Sequence, residues 1–522
     1  MSIIHFPTDH NLAVILGGMK LSHIAKSTLI IAVFFALDKA LGLLRARYFN
    51  ITFSPLERDI FFVSNNIPDL LSALISGGAL GMALIPVLTE TLDQDGKQAA
   101  WRLFNYTINL AFLATGAIAL IIIAFARPLV QYVIAPGFND PAQWALTARL
   151  MRLDLAAILI FSLSGLAMAG LQTNQHFLLP AMAPGFYNLG QIVGILVLGP
   201  RFGIDGMVYG VILGALMHLG IQIPGLLHFG YRWAPAVSLR EPRLRQVLWV
   251  MGPRVVNVVF LQSYFLFRDR LASFFEAGAV SAVNNGWFIQ QVPETLIGTA
   301  IAIALLPTLS DHIARGNSDA FRDSVNQALR VLLALTLPVA AVLAVTIRPL
   351  AQGIFQFQGR ELEMVTWTTR LFLLGLTGHT WLEVAVRSFY ARQVAWVPMV
   401  AAGLQAGAFM LLAWLLSSTN LGPAGIALAD TVTFTLQAVI LLWLLQRRFQ
   451  GVLAVSRSLL RAGLATILAG GLAYALYAWL PVGAFWAGLA GCASGWLLSL
   501  PLVWPEVRLL IRLGEKPATA VE

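Results

Sequence analysis

The chain has 522 residues, of which 58% are hydrophobic and only 11% are charged, and its mean hydropathy is +0.76. Soluble globular domains carry about 25% charged residues. A soluble chain of this length would form roughly three domains, and this sequence lacks the charged residues that their surfaces would need. The composition therefore excludes an ordinary soluble protein and indicates a polytopic membrane protein.

Apolar stretches of about twenty residues, the length that crosses a bilayer as a helix, recur along the whole chain. Proline, glycine and charged residues separate them. They predict an all-α fold with about fourteen transmembrane helices. In chain order, the predicted spans are 27–48, 59–88, 105–126, 146–171, 179–200, 206–228, 246–275, 282–309, 326–347, 365–391, 396–418, 424–446, 459–479 and 483–503.

Basic residues are concentrated in loops on one side of these spans. Segment 229–245 holds four arginines against one acid, and segment 447–461 holds four arginines and no acid. Both segments lie on the side that also holds the N-terminus. Because Lys and Arg favour the cytoplasmic side, both termini are predicted to be cytoplasmic. The same loops account for the excess of 34 Lys and Arg over 25 Asp and Glu, so we expect no nucleic-acid partner.

The sequence carries few of the patterns on which enzymes and metal sites depend. Its single cysteine, Cys492, excludes a disulfide framework and any cysteine-based metal site. It contains no Walker motif, no H-E-x-x-H and no G-x-S-x-G. We therefore expect no catalytic residue, no metal and no cofactor. Energy for transport would come from an ion gradient or from the membrane potential.

An internal repeat is visible in the sequence. ARPLVQ at 126–131 returns as IRPLAQ at 347–352, and FGIDG at 202–206 returns as LGPAG at 421–425. Six helices in each copy leave both copies in the same orientation. The sequence therefore predicts two parallel repeats with a substrate cavity between them, which open alternately to the two sides by rocking.

The repeat divides the chain into six predicted segments. The first four are an N-terminal cytoplasmic or interfacial segment (1–26), a first lobe of six helices (27–228), a cytoplasmic linker (229–249) and a second lobe of six helices (250–446). Two additional helices (447–503) and a cytoplasmic tail (504–522) follow.

Charged side chains inside the spans are candidate site residues, because a charge at mid-membrane costs about 2.5–3.5 kcal/mol on insertion scales. The first helix of each repeat carries basic groups at matching places. Guanidinium groups suit phosphate geometry, so we expect an anionic ligand in a cavity of net positive charge. For residues near helix ends, the alternative is that the side chain reaches the lipid headgroups. The candidates are Lys39, Arg45, Arg254, Arg268, Asp269 and Arg270.

A second set of residues is predicted to act in gating or coupling. Pro68 and Pro293 are expected to break their helices locally. Glu383 and Arg387 are four residues apart, so an ion pair within one helix is the favoured interpretation. Arg152 and Asp154 are expected at the edge of the fourth span. The gating set comprises Asp38, Pro68, Asp69, Pro293, Glu294, Glu383 and Arg387.

Four segments resemble the MurJ/MviN family: LGLLRARYF at 41–49, RDIFFVSNNIPDLL at 58–71, GALGMALIPVLTE at 78–90 and DRLASFFEAGAVSAVN at 269–284. Matches in family order cover about 27–450. Members of this family flip lipid II, the undecaprenyl-pyrophosphate-linked precursor of peptidoglycan, across the bacterial inner membrane. The resemblance implies the fold of the multidrug, oligosaccharidyl-lipid and polysaccharide exporters, with two six-helix lobes and two extra helices.

The resemblance also implies roles for particular residues. The family's basic pair in the first helix falls on Lys39 and Arg45. Its acid in the second helix falls on Asp59, which joins the candidate substrate-binding residues. The Asp-Arg of the seventh helix, present in many members, falls on Asp269 and Arg270.

The chain departs from the family pattern at two places. Where the family usually has an arginine in the second span, this chain has Ser72 and Ala73, and Gly77 replaces the acid that follows. The family's arginine in the eighth span is also absent, because segment 286–289 reads GWFI. We hypothesise that Arg254 and Arg268 supply the missing positive charge.

The sequence thus predicts a transporter without enzymatic activity. It would flip a polyprenyl-diphosphate-linked glycan, with lipid II as the leading candidate, from the inner to the outer leaflet. The expected partners are this lipid-linked oligosaccharide and membrane lipids, with cell-wall synthesis proteins as further candidates. Two alternatives stay open: a cation-coupled small-molecule exporter of the same superfamily, whose cavity would be dominated by acids, and a non-transporting membrane scaffold.

Overall fold

A computed structural model describes residues 23–75 and 79–514 of the chain. Within these ranges the secondary structure is helical, with no strand. Most of the predicted segment 1–26, residue Gly77 and the end of the predicted tail 504–522 lie outside the described residues.

Fourteen helical segments follow one another in the described part of the chain, and each overlaps one predicted span. They are α1 (His23–Thr52), α2 (Pro55–Ile75 and Ala79–Gln94), α3 (Gly96–Ile134), α4 (Pro141–Thr173), α5 (Leu178–Phe202), α6 (Ile204–His228), α7 (Pro242–Ala272), α8 (Ala279–Ala314), α9 (Ser318–Phe355), α10 (Gly359–Leu374 and Leu376–Ala391), α11 (Trp396–Ser417), α12 (Pro423–Arg448), α13 (Ser456–Trp479) and α14 (Ala484–Gly514).

The helical multi-pass architecture is confirmed, whereas the number of spans is confirmed only in part. Twelve of the described helices are long and apolar enough to cross a membrane. The other two, α1 and α10, are helical but do not belong to these twelve, so a count of fourteen membrane crossings stays a prediction.

The turns between helices repeat the same backbone geometry in the two halves of the chain. Gln175, between α4 and α5, has a φ of 58°, and Gln393, between α10 and α11, has a φ of 57°. Gly203, before α6, and Gly422, before α12, have φ values of 60° and 52°. Residues other than glycine rarely adopt positive φ. These matching positions, 218 and 219 residues apart, therefore support the internal repeat independently of the helices themselves.

Helices α5 and α6 pack closely through glycines. A Cβ atom at Gly194 would lie 2.4 Å from the Cα of Gly210, and a Cβ at Gly190 would lie 2.3 Å from the Cα of Gly214. Small residues allow membrane helices to approach until their backbones touch. Side chains larger than hydrogen cannot be accommodated along this contact without separating the helices.

The two helices outside the repeat pack on α9, which belongs to the second repeat. A fully buried carboxylate, Glu506 on α14, joins them. Ser458 on α13 donates to Glu506 Oε1 over 2.9 Å, and the guanidinium groups of Arg461 and Arg330 lie 3.5 and 3.7 Å from the same oxygen. Because Arg330 is on α9, this cluster fixes α13 and α14 to the second repeat.

Replacing Gly210 with alanine should lower the stability of the folded protein, because the new Cβ would lie 2.5 Å from the Cα of Gly194. Overpacking of this kind typically costs about 1–3 kcal/mol. Thermal unfolding in detergent, followed by size-exclusion chromatography, measures the change. Gly407→Ala on α11 is the matched control, since nothing lies within 4 Å of a Cβ at that position. Equal unfolding temperatures for the two variants would contradict this account of the contact between α5 and α6.

Candidate functional site

A cavity of about 520 Å³ lies between the two repeats, within the size range of ligand pockets. Its walls come from α1, α2, α5 and α6 on one side and from α7 and α8 on the other. Aromatic rings and amide side chains make up most of the lining. The polar and charged lining residues are Arg45, Asn50, Asn65, Asn66, Asp69, Ser72, Tyr187, Gln191, Gln262, Arg268, Asp269, Asn284 and Asn285.

Arg268 on α7 is a buried arginine of this cavity that contacts an acid, an amide and two aromatic rings. Its side chain is only 2% exposed, and its Nε donates to Asp269 Oδ1 over 3.0 Å. Nη2 donates to Asn284 on α8. The guanidinium also lies 4.9 Å from the ring centre of Phe265 and 5.8 Å from that of Trp287, and such faces stabilise a cation. Nη1 is buried and has no hydrogen-bond partner among the described residues, so it is available to an anionic oxygen.

Arg45 on α1 supplies a second arginine from the first repeat. Its Nη1 donates to Gln191 Oε1 on α5 over 3.1 Å. Two aspartates, Asp69 and Asp269, line the same cavity. The described lining therefore holds two arginines and two aspartates, and the expected net positive charge is wrong. The physical reason is that acids of α2 and α7 face the same space as the arginines.

A smaller pocket of about 190 Å³ shares Asp69 and Tyr187 with the main cavity and reaches Asp154 on α4. Asp154 is 3% exposed, and its Oδ1 has no hydrogen-bond partner. The sequence placed this residue at the edge of the fourth span, which is wrong, since it lies thirteen residues inside α4. Asp154 is thus a cavity acid that the sequence interpretation missed, because the start of the span was set too late.

Four of the predicted substrate-binding residues lie away from the cavity lining: Lys39, Asp59, Arg254 and Arg270. Lys39 is exposed, and its Nζ lies 3.8 Å from Asp38 Oδ2. Asp38 in turn accepts a hydrogen bond of 2.8 Å from Asn188 on α5. Arg254 is partly buried on α7, and its Nη1 has no partner. Of the predicted set, the structure brings Arg45, Arg268 and Asp269 together in the cavity.

Asp59 connects the two repeats instead of lining the cavity. The buried carboxylate accepts the backbone N–H of Gly278 and that of Ser281, each over 2.6 Å. Both donors belong to the first turn of α8, where unpaired N–H groups and the helix dipole favour an acid. Arg270, at the end of α7, donates to the carbonyl oxygen of Tyr132 over 2.8 Å, at the end of α3.

Further inter-repeat contacts lie at the same end of the molecule, which we call the closed end. It comprises the loops 53–54, 135–140, 273–278 and 356–358 and the helix termini that they join. Arg58 on α2 pairs with Glu361 on α10 over 2.7 Å. Asn50 on α1 donates to Asn285 on α8 over 3.0 Å. Arg47 on α1 donates to the carbonyl oxygen of Gly353 on α9 over 3.1 Å.

At the opposite end, a basic residue of α7 contacts acids of the first repeat. Arg243, at the start of α7, lies 2.7 Å from Glu90 Oε1 and 3.1 Å from Asp95 Oδ2, at the end of α2. The side chains of Glu90 and Asp95 are 40% and 44% exposed, whereas Arg58 and Asp59 at the closed end are each 2% exposed. The more deeply buried ties between the repeats therefore lie at the closed end.

Of the local structures predicted for the gating residues, two are observed and one is not. The α-helical part of α8 ends at Pro293, and a π-helical turn, Glu294–Thr299, follows it, as expected for a local break. At Pro68 the expected break is wrong, because α2 stays helical to Ile75. The helix packs against α4 and α7, and these contacts keep it helical past Pro68. The ion pair of Arg387 with Glu383 within α10 is confirmed.

A buried polar network in the second repeat contains Glu294, which the sequence predicted, and three residues that it missed: His379, Asp430 and Tyr264. His379 on α10 lies 2.9 Å from Asp430 Oδ2 on α12 through its Nε2. The hydroxyl of Tyr264 on α7 donates to the other oxygen of Asp430. Nδ1 of His379 lies 3.8 Å from Glu294 Oε1 on α8. The available signal was an isolated acid in an otherwise apolar span, which usually marks a functional group.

Comparison with known proteins gives a consistent result. The family model described as lipid II flippase MurJ matches residues 50–490. The lipid II flippase MurJ of Burkholderia cenocepacia is 27% identical over 485 residues, which cover 89% of this chain and 91% of that protein. The probable lipid II flippase MurJ of Bdellovibrio bacteriovorus is 26% identical over 455 residues, with 86% of each chain covered.

Solved structures agree on the fold. A lipid II flippase MurJ in an inward closed conformation matches with a TM-score of 0.79 and 20% identity, covering 93% of this chain and 100% of that chain. An inward-facing multidrug resistance transporter of the MATE family matches with a TM-score of 0.69 and 13% identity, covering 82% of this chain and 99% of that chain. The helical architecture is therefore shared by both kinds of transporter.

Replacing Asp59 with asparagine should loosen the closed end, because the neutral amide loses one acceptor oxygen and the charge that strengthens both bonds. Hydrogen bonds to charged groups contribute about 1.5–3 kcal/mol. We expect a Ser281→Cys reporter, in a Cys492→Ser background, to react about tenfold faster or more with a membrane-impermeant thiol reagent. Glu57→Gln is the control, since its carboxylate bonds only the neighbouring Ser54. Equal labelling rates in the two variants would show that Asp59 does not hold this end closed.

Proposed function

The chain belongs to the lipid II flippase MurJ family, and we propose that it moves lipid II from the inner to the outer leaflet by alternating access. It is a multi-pass inner-membrane protein. The observation that carries the proposal is the family match over residues 50–490, which includes the cavity-lining parts of α2, α5, α6, α7 and α8 and the last three residues of α1. The arginines on the two walls of that cavity fit the diphosphate of such a lipid.

We propose that the diphosphate binds between Arg45 and Arg268, which belong to different repeats. The unpartnered Nη1 of Arg268 supplies a donor without breaking an existing bond. Arg268 forms an ion pair with Asp269, and the two arginines and two aspartates of the described lining give the empty cavity a formal charge of zero. The bound diphosphate therefore makes the net charge of the cavity negative. Lys39 lies six residues before Arg45, about 9 Å along the helix, and its exposed ammonium suits an entry position.

The proposed direction of access follows from the predicted orientation. If both termini are cytoplasmic, the closed end faces the outside, and the head group enters from the cytoplasmic side in this conformation. Asp59 and Arg270 then act in the outer gate. The polyprenyl tail stays in lipid, beside α13 and α14, while the repeats rock to present the head group on the other side. The roles of these residues and the orientation are parts of the proposal.

The alternative functions are not favoured. A cation exporter predicts a cavity dominated by acids, and the described main cavity holds as many arginines as aspartates. A non-transporting scaffold has no need for a buried guanidinium with a free donor facing the cavity. Membership of a transporter family also supports the prediction that the chain has no enzymatic activity. Cell-wall synthesis proteins are proposed as further partners on the basis of the substrate alone.

Expression of this chain should restore growth to a bacterium whose own lipid II flippase has been shut off. Lipid II that reaches the outer leaflet is measured by an externally added enzyme that cleaves it. Return of the cleavage product together with survival supports the proposal. If the protein reaches the membrane and no product returns, lipid II is not its substrate.

In the same assay, Arg268→Ala should reduce flipping by about 10- to 150-fold, the range expected when one hydrogen-bonded charge is removed. Arg268→Lys should recover part of the activity, because it keeps the charge and loses the planar donor pair. Arg315→Ala is the matched control, since Arg315 is exposed and pairs only with Asp311 in its own helix. Full activity of Arg268→Ala at normal protein levels would remove Arg268 from the binding site.

A further inference from the structure

A row of titratable side chains crosses the second repeat behind the cavity wall. It starts at Glu294 on α8, whose side chain is 15% exposed, passes through His379 on α10, and ends at Asp430 on α12, whose side chain is 1% exposed. The hydroxyl of Tyr264 closes the row by donating to Asp430. The row therefore runs from a partly accessible carboxylate to a fully buried one.

The charges in this row do not balance. Arg268 is paired with Asp269, and Glu383 is paired with Arg387, so the neighbouring charged groups of α7 and α10 are already neutralised. The carboxylates of Asp430 and Glu294 lie 2.9 and 3.8 Å from the two ring nitrogens of His379. The polar groups that α9 and α11 place against α10 and α12, Thr336 and Gln405, are uncharged.

Two carboxylates and one imidazole leave a net charge of −1 even when the imidazole is protonated, and −2 when it is neutral. Unbalanced charge in an apolar interior is strongly unfavourable, so the site gains stability by taking up positive charge. Within the described residues, no group of three or more His, Cys, Asp or Glu side chains has a geometry that could hold a metal ion. The simplest species that neutralises the row is a proton.

Gln290 provides hydrogen bonds for both protonation states of Glu294. Its side chain is fully buried, its Nε2 donates to Glu294 Oε2 over 3.0 Å, and its Oε1 has no partner. An amide presents a donor at one end and an acceptor at the other. When Glu294 is ionised, Nε2 donates to it. When Glu294 is protonated, rotation of the amide lets Oε1 accept its O–H.

Glu294 also lies at the junction between the α-helical and π-helical parts of α8. It follows Pro293 and is the first residue of the π-helical turn. The part of α8 before this turn carries contacts of the closed end, from Ser281 to Asp59 and from Asn285 to Asn50. A change in the attraction between Glu294 and His379 therefore acts at the point where the gate-bearing half of α8 joins the rest of the helix.

We propose that Glu294, His379 and Asp430 form a proton-binding site whose occupancy controls the closed end. Uptake of a proton by Glu294 removes its attraction to His379, releases α8 from α10 at the π-helical turn, and favours opening. The proposal deepens the proposed transport function, since it assigns the coupling ion for alternating access. It can be tested without lipid II, so its failure is distinguishable from failure of the transport proposal.

The first test counts protons taken up by the purified full-length protein in detergent when the pH is lowered from about 8 to about 5, the range in which histidine titrates. Glu294→Gln and Asp430→Asn, which preserve side-chain shape, should each bind about one proton fewer than the wild type. Asp311→Asn is the control, because this exposed carboxylate of the same helix pairs with Arg315. Wild-type proton uptake in Glu294→Gln and Asp430→Asn would overturn the proposal.

The second test measures the closed end directly by electron–electron distance spectroscopy. Spin labels are attached through Asn139→Cys and Gln358→Cys, which lie in exposed loops of the two repeats, in a Cys492→Ser background. Acidification should increase the long-distance population several-fold in the wild type. Glu294→Gln, which mimics the protonated acid, should show that population at both pH values.

The distance measurement also separates this site from the other buried acid of the closed end. If Asp59 were the titrating group, Glu294→Gln would keep the pH dependence of the wild type, and that result would overturn the proposal. A population that follows sodium concentration and ignores pH would overturn it as well, because the site would then bind a metal cation. Loss of pH dependence in both Glu294→Gln and His379→Gln supports it.

Discussion

The constraint on which this structure depends is that a buried charge in an apolar bundle needs a partner, because lipid offers no water to replace one. Asp59 meets this requirement with two backbone N–H groups of the other repeat, and Arg58 meets it with Glu361. The buried charged side chains thus find their partners in the other repeat, and these contacts join the two repeats. Since the most buried of these contacts lie at one end, the repeats are held together there and a cavity is left between them.

The same constraint accounts for the chemistry of the cavity. Arg268 is neutralised by Asp269, yet it keeps one free N–H donor over the rings of Phe265 and Trp287. Trp287 occupies the segment where the resembled family carries an arginine. At this position of α8 the chain therefore has an aromatic ring in place of a charged side chain. The face of that ring stabilises the guanidinium of Arg268 on the neighbouring helix α7. Ser72 and Ala73, at the other departure, also line the cavity.

The second repeat differs from the first in holding a row of titratable groups that ends in a fully buried acid. Glu294 belongs both to this row and to the π-helical turn of α8, and the start of α8 is fixed by Asp59. One helix thus connects the proposed proton-binding site, the cavity wall and the closed end. In the first repeat, the buried acid Asp154 lies on α4 and lines a side pocket of the cavity itself.

The sequence by itself determined the helices, the repeat and the family, because span length, turn residues and apolar runs are local properties. It did not determine which charges share a space. Arg254 and Arg268 are fourteen residues apart on one face of α7, but about 21 Å of helix separates them, so only Arg268 reaches the cavity. His379 and Asp430 meet although they are 51 positions apart in the sequence. Tertiary structure alone decided these outcomes, since the depth and rotation of each helix are set by its neighbours.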